Sequence, residues 1–385
     1  MHQLLFRPFH LFLLLLSVLF YTKICRIDKI QAFLTEQSAL LQGKEMAEYV
    51  KPFREVIERV GHNSPAILIL NKHALNITLN FICNLRLFPG ASERLIAVVF
   101  DHNSEIVLRN SFPHLNVIHW PLKALTDKFG SGDGRYQLFQ YFRAKLAAFL
   151  TELVDSFWMV QADTIWRENL FKLIDVDNDT DEYRRADLIF DSEGTDGLLS
   201  SMIAGGYFFV RSSVRTRNFF ESVSHFLLNH FSTDNNVMAR QCLLGLYGTK
   251  CAQIPYRLLS NWRHSYGSND KEDRPALFQF DGGDNAGDKF NKMRAEGHLF
   301  VDVNTINGWK DEKGFGRVAQ CLEREIEEVS RTADERGHRK GRERSRNWAM
   351  SIIHGLFEWV YGRFPGIKRF LITELFPHYA AHFFI

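Results

Sequence analysis

Phe157-Trp158-Met159-Val160-Gln161-Ala162-Asp163-Thr164-Ile165-Trp166 reads as an apolar strand that stops abruptly in a carboxylate. Four apolar residues in a row, without polar alternation, suit a strand covered on both faces. Such a strand carries its first polar residues to the rim of a sheet, where a carboxylate adds nothing to packing. At that rim Asp163 can bind a divalent cation, and Mn2+ or Mg2+ keep coordination positions open for phosphate oxygens. A cation placed there acts as a Lewis acid on a departing diphosphate. Asp163 can equally cap the turn or helix that follows, and local chemistry alone favours neither role.

Working outward, five further segments have strand character: 66–70, 95–101, 117–120, 187–190 and 207–211, with 157–160 between the third and fourth. A helix is expected over 136–153, because Leu138, Phe142, Leu146, Phe149 and Leu153 recur at helical spacing. Short apolar strands alternating with helices define an α/β fold with a mostly parallel sheet flanked by helices. Ligands of such sheets bind at the carboxyl ends of the strands. Asn71 and Asp101 follow the first two strands, where they can touch a nucleotide base or ribose or simply cap turns.

The chain of 385 residues divides by composition. An apolar run over 9–21, broken by His10, is expected to be an uncleaved anchor within 1–22, since Thr22-Lys23-Ile24-Cys25-Arg26 follows it where a cleaved leader needs small residues. Lys23, Arg26 and Lys29 would place that side in the cytoplasm if taken alone, so orientation comes from the rest of the chain. Residues 23–60 read as a stem or leading helix and 61–322 as the α/β domain. A charged linker spans 323–346, and 347–385 is an aromatic-rich helical appendage, packed on the domain or lying on a membrane surface. A formal charge of +2 gives no reason to expect a nucleic-acid partner. Five cysteines have no metal-ligand spacing; Cys242 and Cys251 are close enough to bridge, and the odd count leaves one thiol over.

From Phe142-Arg143-Ala144-Lys145 through Phe171, and again over Ala204-Gly205-Gly206-Tyr207-Phe208-Phe209-Val210-Arg211-Ser212, the chain resembles the nucleotide-diphospho-sugar transferases of GT-A fold. That family's pattern is a helix with a lysine, a strand ending in D-x-D-x-x-W, a glycine-bearing strand, an acidic or amide pair before a helix, and a late histidine-containing loop. The resemblance runs from about Ala66 to Val303 and is itself similar to retaining enzymes of the secretory pathway. It implies a type II Golgi membrane protein with a lumenal domain, a nucleoside-diphosphate sugar as donor, Mn2+ or Mg2+, and a glycan or glycoprotein acceptor.

Residue by residue, the resemblance implies that Asp163 holds the metal and Gln161 contacts ribose. Lys145 reaches sugar or diphosphate, Gly205 and Gly206 leave room for the donor sugar, and Asp234 and Asn235 form the acidic–amide pair. Asp281 would be the second metal ligand and Lys289 the cation at the phosphates. Gln161 stands where the pattern has a carboxylate, Gln279 where it has histidine, and Ala204 where it often has asparagine. Those departures motivate an alternative, a catalytically silent protein of the same fold that binds a nucleotide or sugar. Asp175-Val176-Asp177-Asn178-Asp179 has literal D-x-D spacing but lacks the glycine and glutamate of a calcium loop, and reads as solvent loop. Asn76-Ile77-Thr78 and Asn178-Asp179-Thr180 are glycosylation sequons whose number is near chance.

Overall fold

A computed structural model describes residues 2–41, 43–61, 64–130, 132–176, 181–195, 197–261, 275–280, 286–306, 318–325 and 365–379. The strands are β1 (Ala66–Leu70), β2 (Leu95–Val99), β3 (Asn116–His119), β4 (Ser156–Val160), β5 (Thr164–Trp166), β6 (Leu188–Ser192), β7 (Ile203–Arg211), β8 (Cys251–Ile254), β9 (Leu259–Ser260) and β10 (Leu277–Gln279). The helices of ten or more described residues are α1 (His2–Ser38), α2 (Val50–Val60), α3 (Leu75–Leu85), α4 (His102–Ser111), α5 (Gly134–Leu150), α6 (Val214–Asn229), α7 (Asp234–Leu244) and α8 (Ala286–Ala295).

Seven strands form one sheet in the order β3-β2-β1-β4-β7-β6-β8. β1 pairs parallel with β2 and β4, β2 with β3, and β6 with β8, while β7 runs antiparallel between β4 and β6. Alternation along the strands divides the core. Trp158, Val160, Tyr207 and Phe209 enter one apolar layer, and Phe157, Met159, Phe208 and Val210 enter the other. Both faces being covered explains why the β4 sequence is apolar throughout. The mainly parallel sheet of a mixed α/β fold is therefore observed, with β7 as its reversed strand. A second sheet, β5-β10-β9, sits just beyond β4.

Helix starts follow from short polar side chains. Asp101 accepts from Ser104 N–H and Asp133 from Arg135 N–H, and Ser213 with Thr216 forms a reciprocal capping box on α6. Gly245 ends α7 in the left-handed conformation at φ +60°, where a Cβ carries a steric cost.

α1 runs unbroken through the boundary expected near residue 22. Its second half docks on the domain: Ile30 and Leu34 are buried, and Arg26 donates to the Gly132 carbonyl at 3.3 Å. Residues expected to be a stem thus contribute to the core. Among the described residues no helix is long and apolar enough to cross a membrane, so the expected anchor has no support there. At the other end, the helical turns Leu371–Leu375 and Phe376–Tyr379 pack on α7, and Pro365–Phe370 leads into them. Ile372 is buried and Arg240 Nε donates to the Thr373 carbonyl at 2.8 Å, which is the packed form of the appendage. Residues 326–364, which take in most of the 323–346 linker and the start of the 347–385 appendage, and residues 177–180 of the Asp175 stretch lie outside the described residues.

Two disulfides join Cys242 to Cys251 and Cys83 to Cys321, with Cys25 as the leftover thiol. The second closes 238 positions of sequence and ties the segment after α8 back to α3. Cys321→Ser should therefore cost roughly 2–5 kcal/mol of unfolding free energy, read from urea melts of the oxidised parent and variant. Identical midpoints would show that the bridge contributes nothing.

Candidate active site

β4 ends at Val160 and the chain turns through Gln161, Ala162 and Asp163 into β5. Two contacts fix that turn. The Tyr207 hydroxyl donates to the Gln161 carbonyl at 3.1 Å and accepts from Trp166 Nε1 at 3.1 Å. Phe280 N–H donates to the Asp163 carbonyl at 2.6 Å, extending the antiparallel pairing of β10 with β5 in which Gln279 faces Thr164. That register sets the Gln279 side chain over the turn. Its Nε2 donates to Gln161 Oε1 at 2.7 Å and to Asp163 Oδ1 at 3.3 Å.

Asp163 is 8% exposed, and its second oxygen meets a cation: Lys289 Nζ, on the first turn of α8, lies 2.5 Å from Asp163 Oδ2. Phe290 and Met293, buried against α3, anchor that helix. The structure thus brings together Gln161, Asp163, Gln279 and Lys289, from segments up to 128 positions apart. Asp281 lies outside the described residues.

A glycine floor closes the site beneath Gln279. A Cβ on Gly206 would come within 2.5 Å of the Gln279 amide, and one on Gly205, whose φ is +80°, within 2.7 Å of Asn235 Cβ. The floor is held from below by Asp191, which is 1% exposed. Its Oδ1 accepts from Gly205 N–H at 2.7 Å, and its Oδ2 from Gly206 and Tyr207 N–H, each at 2.8 Å.

Arg143 reaches the same floor from α5. Its Nη1 donates to the Gly205 carbonyl at 2.6 Å, and its Nε and Nη2 grip Asp234 Oδ2 at 2.7 and 2.5 Å. Asp234 is buried by that pairing and also accepts from Asn235 N–H, while Asn235 Nδ2 donates to the Ile203 carbonyl at 3.1 Å. The pair at 234–235 therefore positions Arg143 and the glycine strand. Burial pushes the Tyr136 phenol up, Asp234 adds to the rise, and the charges of Arg143 and Lys289 oppose it.

Lys145 requires a correction. It sits two residues, about 200° of helix, from Arg143, and its ammonium pairs with Glu221 of α6 at 2.8 Å. Arg143 is the basic residue that this helix turns toward the site. Asn71 and Asp101 act as caps: Asn71 accepts from His73 N–H and donates to the Leu125 and Asp127 carbonyls, and Asp101 accepts from Lys72 N–H and from Ser104 N–H and Oγ. Sequence reasoning missed Asp191, although it ends an apolar strand just as Asp163 does, and that signal was available. It also passed over Arg143, whose place on the buried side of α5 follows from helix phase.

Burial pushes the Asp191 carboxyl up to about 7, against the pull of three backbone N–H groups and Arg143. The folded state then keeps a proton that the unfolded chain releases near pH 4. The associated stability is complete below about pH 4 and is lost as pH rises to about 7, by up to ~1.4 kcal/mol per pH unit. Urea melts between pH 4 and 8 should show this slope in the parent and a flatter one in Asp191→Asn. Equal slopes would remove Asp191 as the titrating group.

The family pattern implies a divalent cation held by Asp163 and Asp281, of which Asp163 is among the described residues. Among the described residues the position supplies one carboxylate, two neutral carboxamides and an ammonium. A separate metal-capable group, His102, Glu105 and His119, lies at the β3 edge of the sheet, three strands from β4 and so roughly 14 Å away. There Glu105 Oε2 already faces both imidazoles at 3.2 and 3.3 Å, and Oε1 accepts from Arg109 at 3.1 Å.

A carboxylate thus ends a central strand, opposed by a lysine and lying beside a glycine-bearing strand. The chain belongs to the nucleotide-diphospho-sugar transferase family, whose model matches residues 90–293. Solved structures with a similar course include the bifunctional glycosyltransferase WbbM in its apo form (11% identity, TM-score 0.39, 60% of this chain and 49% of that one). Others are mouse xyloside xylosyltransferase 1 in its apo form (11%, 0.37, 57% and 98%) and the mannosyltransferase PcManGT from Pyrobaculum calidifontis in complex with GDP-Man and Mn2+ (10%, 0.32, 59% and 66%). The chain spans about half the length of WbbM. At these values the likenesses carry no argument about substrate. No curated protein matches the sequence.

Proposed function

We propose that the protein transfers a sugar from a nucleoside-diphosphate sugar to a glycan or protein acceptor, with retention at the anomeric carbon, in the secretory pathway. The observation that carries this reading is the Asp163–Lys289 pair at the end of β4. In the transfer the bond from the anomeric carbon to the diphosphate oxygen breaks, and its electron pair leaves with the diphosphate. A bond to the acceptor oxygen forms, and the acceptor proton passes to the departing phosphate. Lys289 is placed to stabilise the charge that develops on that leaving group.

Two disulfides support an oxidising compartment, the Golgi lumen among them. Membrane attachment of a type II kind belongs to the same reading and rests on the run 9–21, whose Leu13, Leu14, Leu15, Val18 and Leu19 are exposed on α1.

The test is a panel of nucleotide sugars offered with glycan and peptide acceptors, products being read by anomeric NMR. A product whose anomeric configuration matches the donor supports the reading, and an inverted product removes retention from it. The neutral pair Gln161 and Gln279 favours one second reading, binding without turnover. Saturable donor binding with no product over the whole panel would select it.

A further inference from the structure

Away from the end of β4, a cluster of metal-ligating side chains stands at the carboxyl ends of β2 and β3, the rim on which α/β sheets hold ligands. Asp101 caps α4, so His102 and Glu105 occupy its first turn on one face at i and i+3, and His119 closes β3 opposite Val99. The three ligand atoms on offer lie within 4.8 Å of one another, and the two imidazoles sit side by side with ring centroids 5.9 Å apart. His102 Nδ1 and His119 Nδ1 are 3.2 and 3.3 Å from the same oxygen, Glu105 Oε2.

Arg109 takes the other oxygen. Its Nε donates to Glu105 Oε1 at 3.1 Å, and its Nη2 donates at 2.8 Å to the carbonyl of Val117, two residues before His119 on the same strand. The carboxylate is thereby oriented from behind, as metal-binding carboxylates are, and Oε2 is directed at both imidazoles. Charge-assisted hydrogen bonds are shorter than these two separations, at about 2.7–2.9 Å. The separations are close to the edge of a tetrahedron, since ligand atoms about 2.0–2.1 Å from a zinc ion stand about 3.3–3.4 Å from each other.

We propose that His102, Glu105 and His119 form a zinc site that joins the start of α4 to the end of β3. Two imidazole nitrogens and one carboxylate oxygen suit Zn2+ better than Mg2+ or Mn2+, which favour oxygen ligands throughout. Three protein ligands of this kind leave the fourth position to water or to an external oxygen or nitrogen donor. The His102 side chain is 70% exposed and can rotate to complete the set. The site lies roughly 14 Å from β4 and is independent of the transferase reading.

The test uses the full, untagged chain stripped with EDTA. It is titrated with Zn2+ against a chromophoric chelator, and separately with Co2+, whose tetrahedral complexes absorb strongly in the visible. The parent should bind an equivalent of Zn2+ with a Kd of about 10 μM or tighter and show the cobalt bands. His102→Ala and Glu105→Gln should each weaken that equivalent at least about tenfold and lose the bands, with circular dichroism unchanged. Asp163→Ala should keep both signals, which separates this site from any cation held at the end of β4. A parent with no equivalent of that affinity overturns the proposal. So does binding by both cluster variants within about threefold of the parent, or loss of the equivalent in Asp163→Ala.

Discussion

Asp163→Ala should fold as the parent does and lose transfer by ~10²–10³-fold, the scale of removing one preorganised electrostatic group from an active site. The carboxylate is buried, yet it carries no apolar packing that alanine would leave empty, and its backbone carbonyl keeps the Phe280 N–H bond whatever the side chain. What disappears is the anchor of Lys289. Without that carboxylate the Lys289 side chain, 21% exposed, is less firmly oriented at the end of β4, so affinity and rate fall together while the melting curve stays put. A melting midpoint lowered in step with activity would recast Asp163 as a structural cap.

Arg143→Ala should act on stability first. It strips the partner from Asp234, whose side chain is 3% exposed, and leaves an uncompensated buried carboxylate, at a cost of about 3–5 kcal/mol. It also removes the donor to the Gly205 carbonyl, loosening the glycine strand. The double variant Arg143→Met, Asp234→Leu separates the two effects. Removing both charges should recover most of the stability in urea melts and restore little activity. Recovery of activity along with stability would make the arginine a scaffold residue alone.

The fold was legible because its central strands are covered on both sides. Residues 66–70 and 157–160 carry uninterrupted apolar runs, and the observed β1 and β4 differ from them by one residue at most. β7 begins four residues earlier than its apolar run, at Ile203, where Asp191 holds the N–H groups of Gly205 and Gly206 and the local propensity gives no strand signal. β5, β9 and β10 have two or three residues each, too few for any periodicity to mark, and form because the chain beyond β4 folds back on itself.

The site was half legible. A strand ending in Asp163 announces a rim carboxylate, but nothing in the sequence says that Lys289, 126 positions further on, returns to it. Lys145 and Arg143 illustrate the opposite failure. Both are basic and on one helix, and only the phase of α5 against α6 decides which of them faces the floor. Asn71 and Asp101 stand at the correct ends of β1 and β2, yet backbone N–H groups of the following turns take up their oxygens. Capping chemistry and nucleotide contacts ask for the same residue types at the same place, so sequence alone leaves them unresolved.

The most direct measurement of the central claim is release of nucleoside diphosphate from a panel of nucleotide sugars by the full chain, beside Asp163→Ala and Lys289→Ala. One donor should be cleaved or transferred by the parent, and both variants, folded by circular dichroism, should fall to background. Turnover by either variant equal to that of the parent would contradict the assignment of this carboxylate–lysine pair as the centre of the reaction.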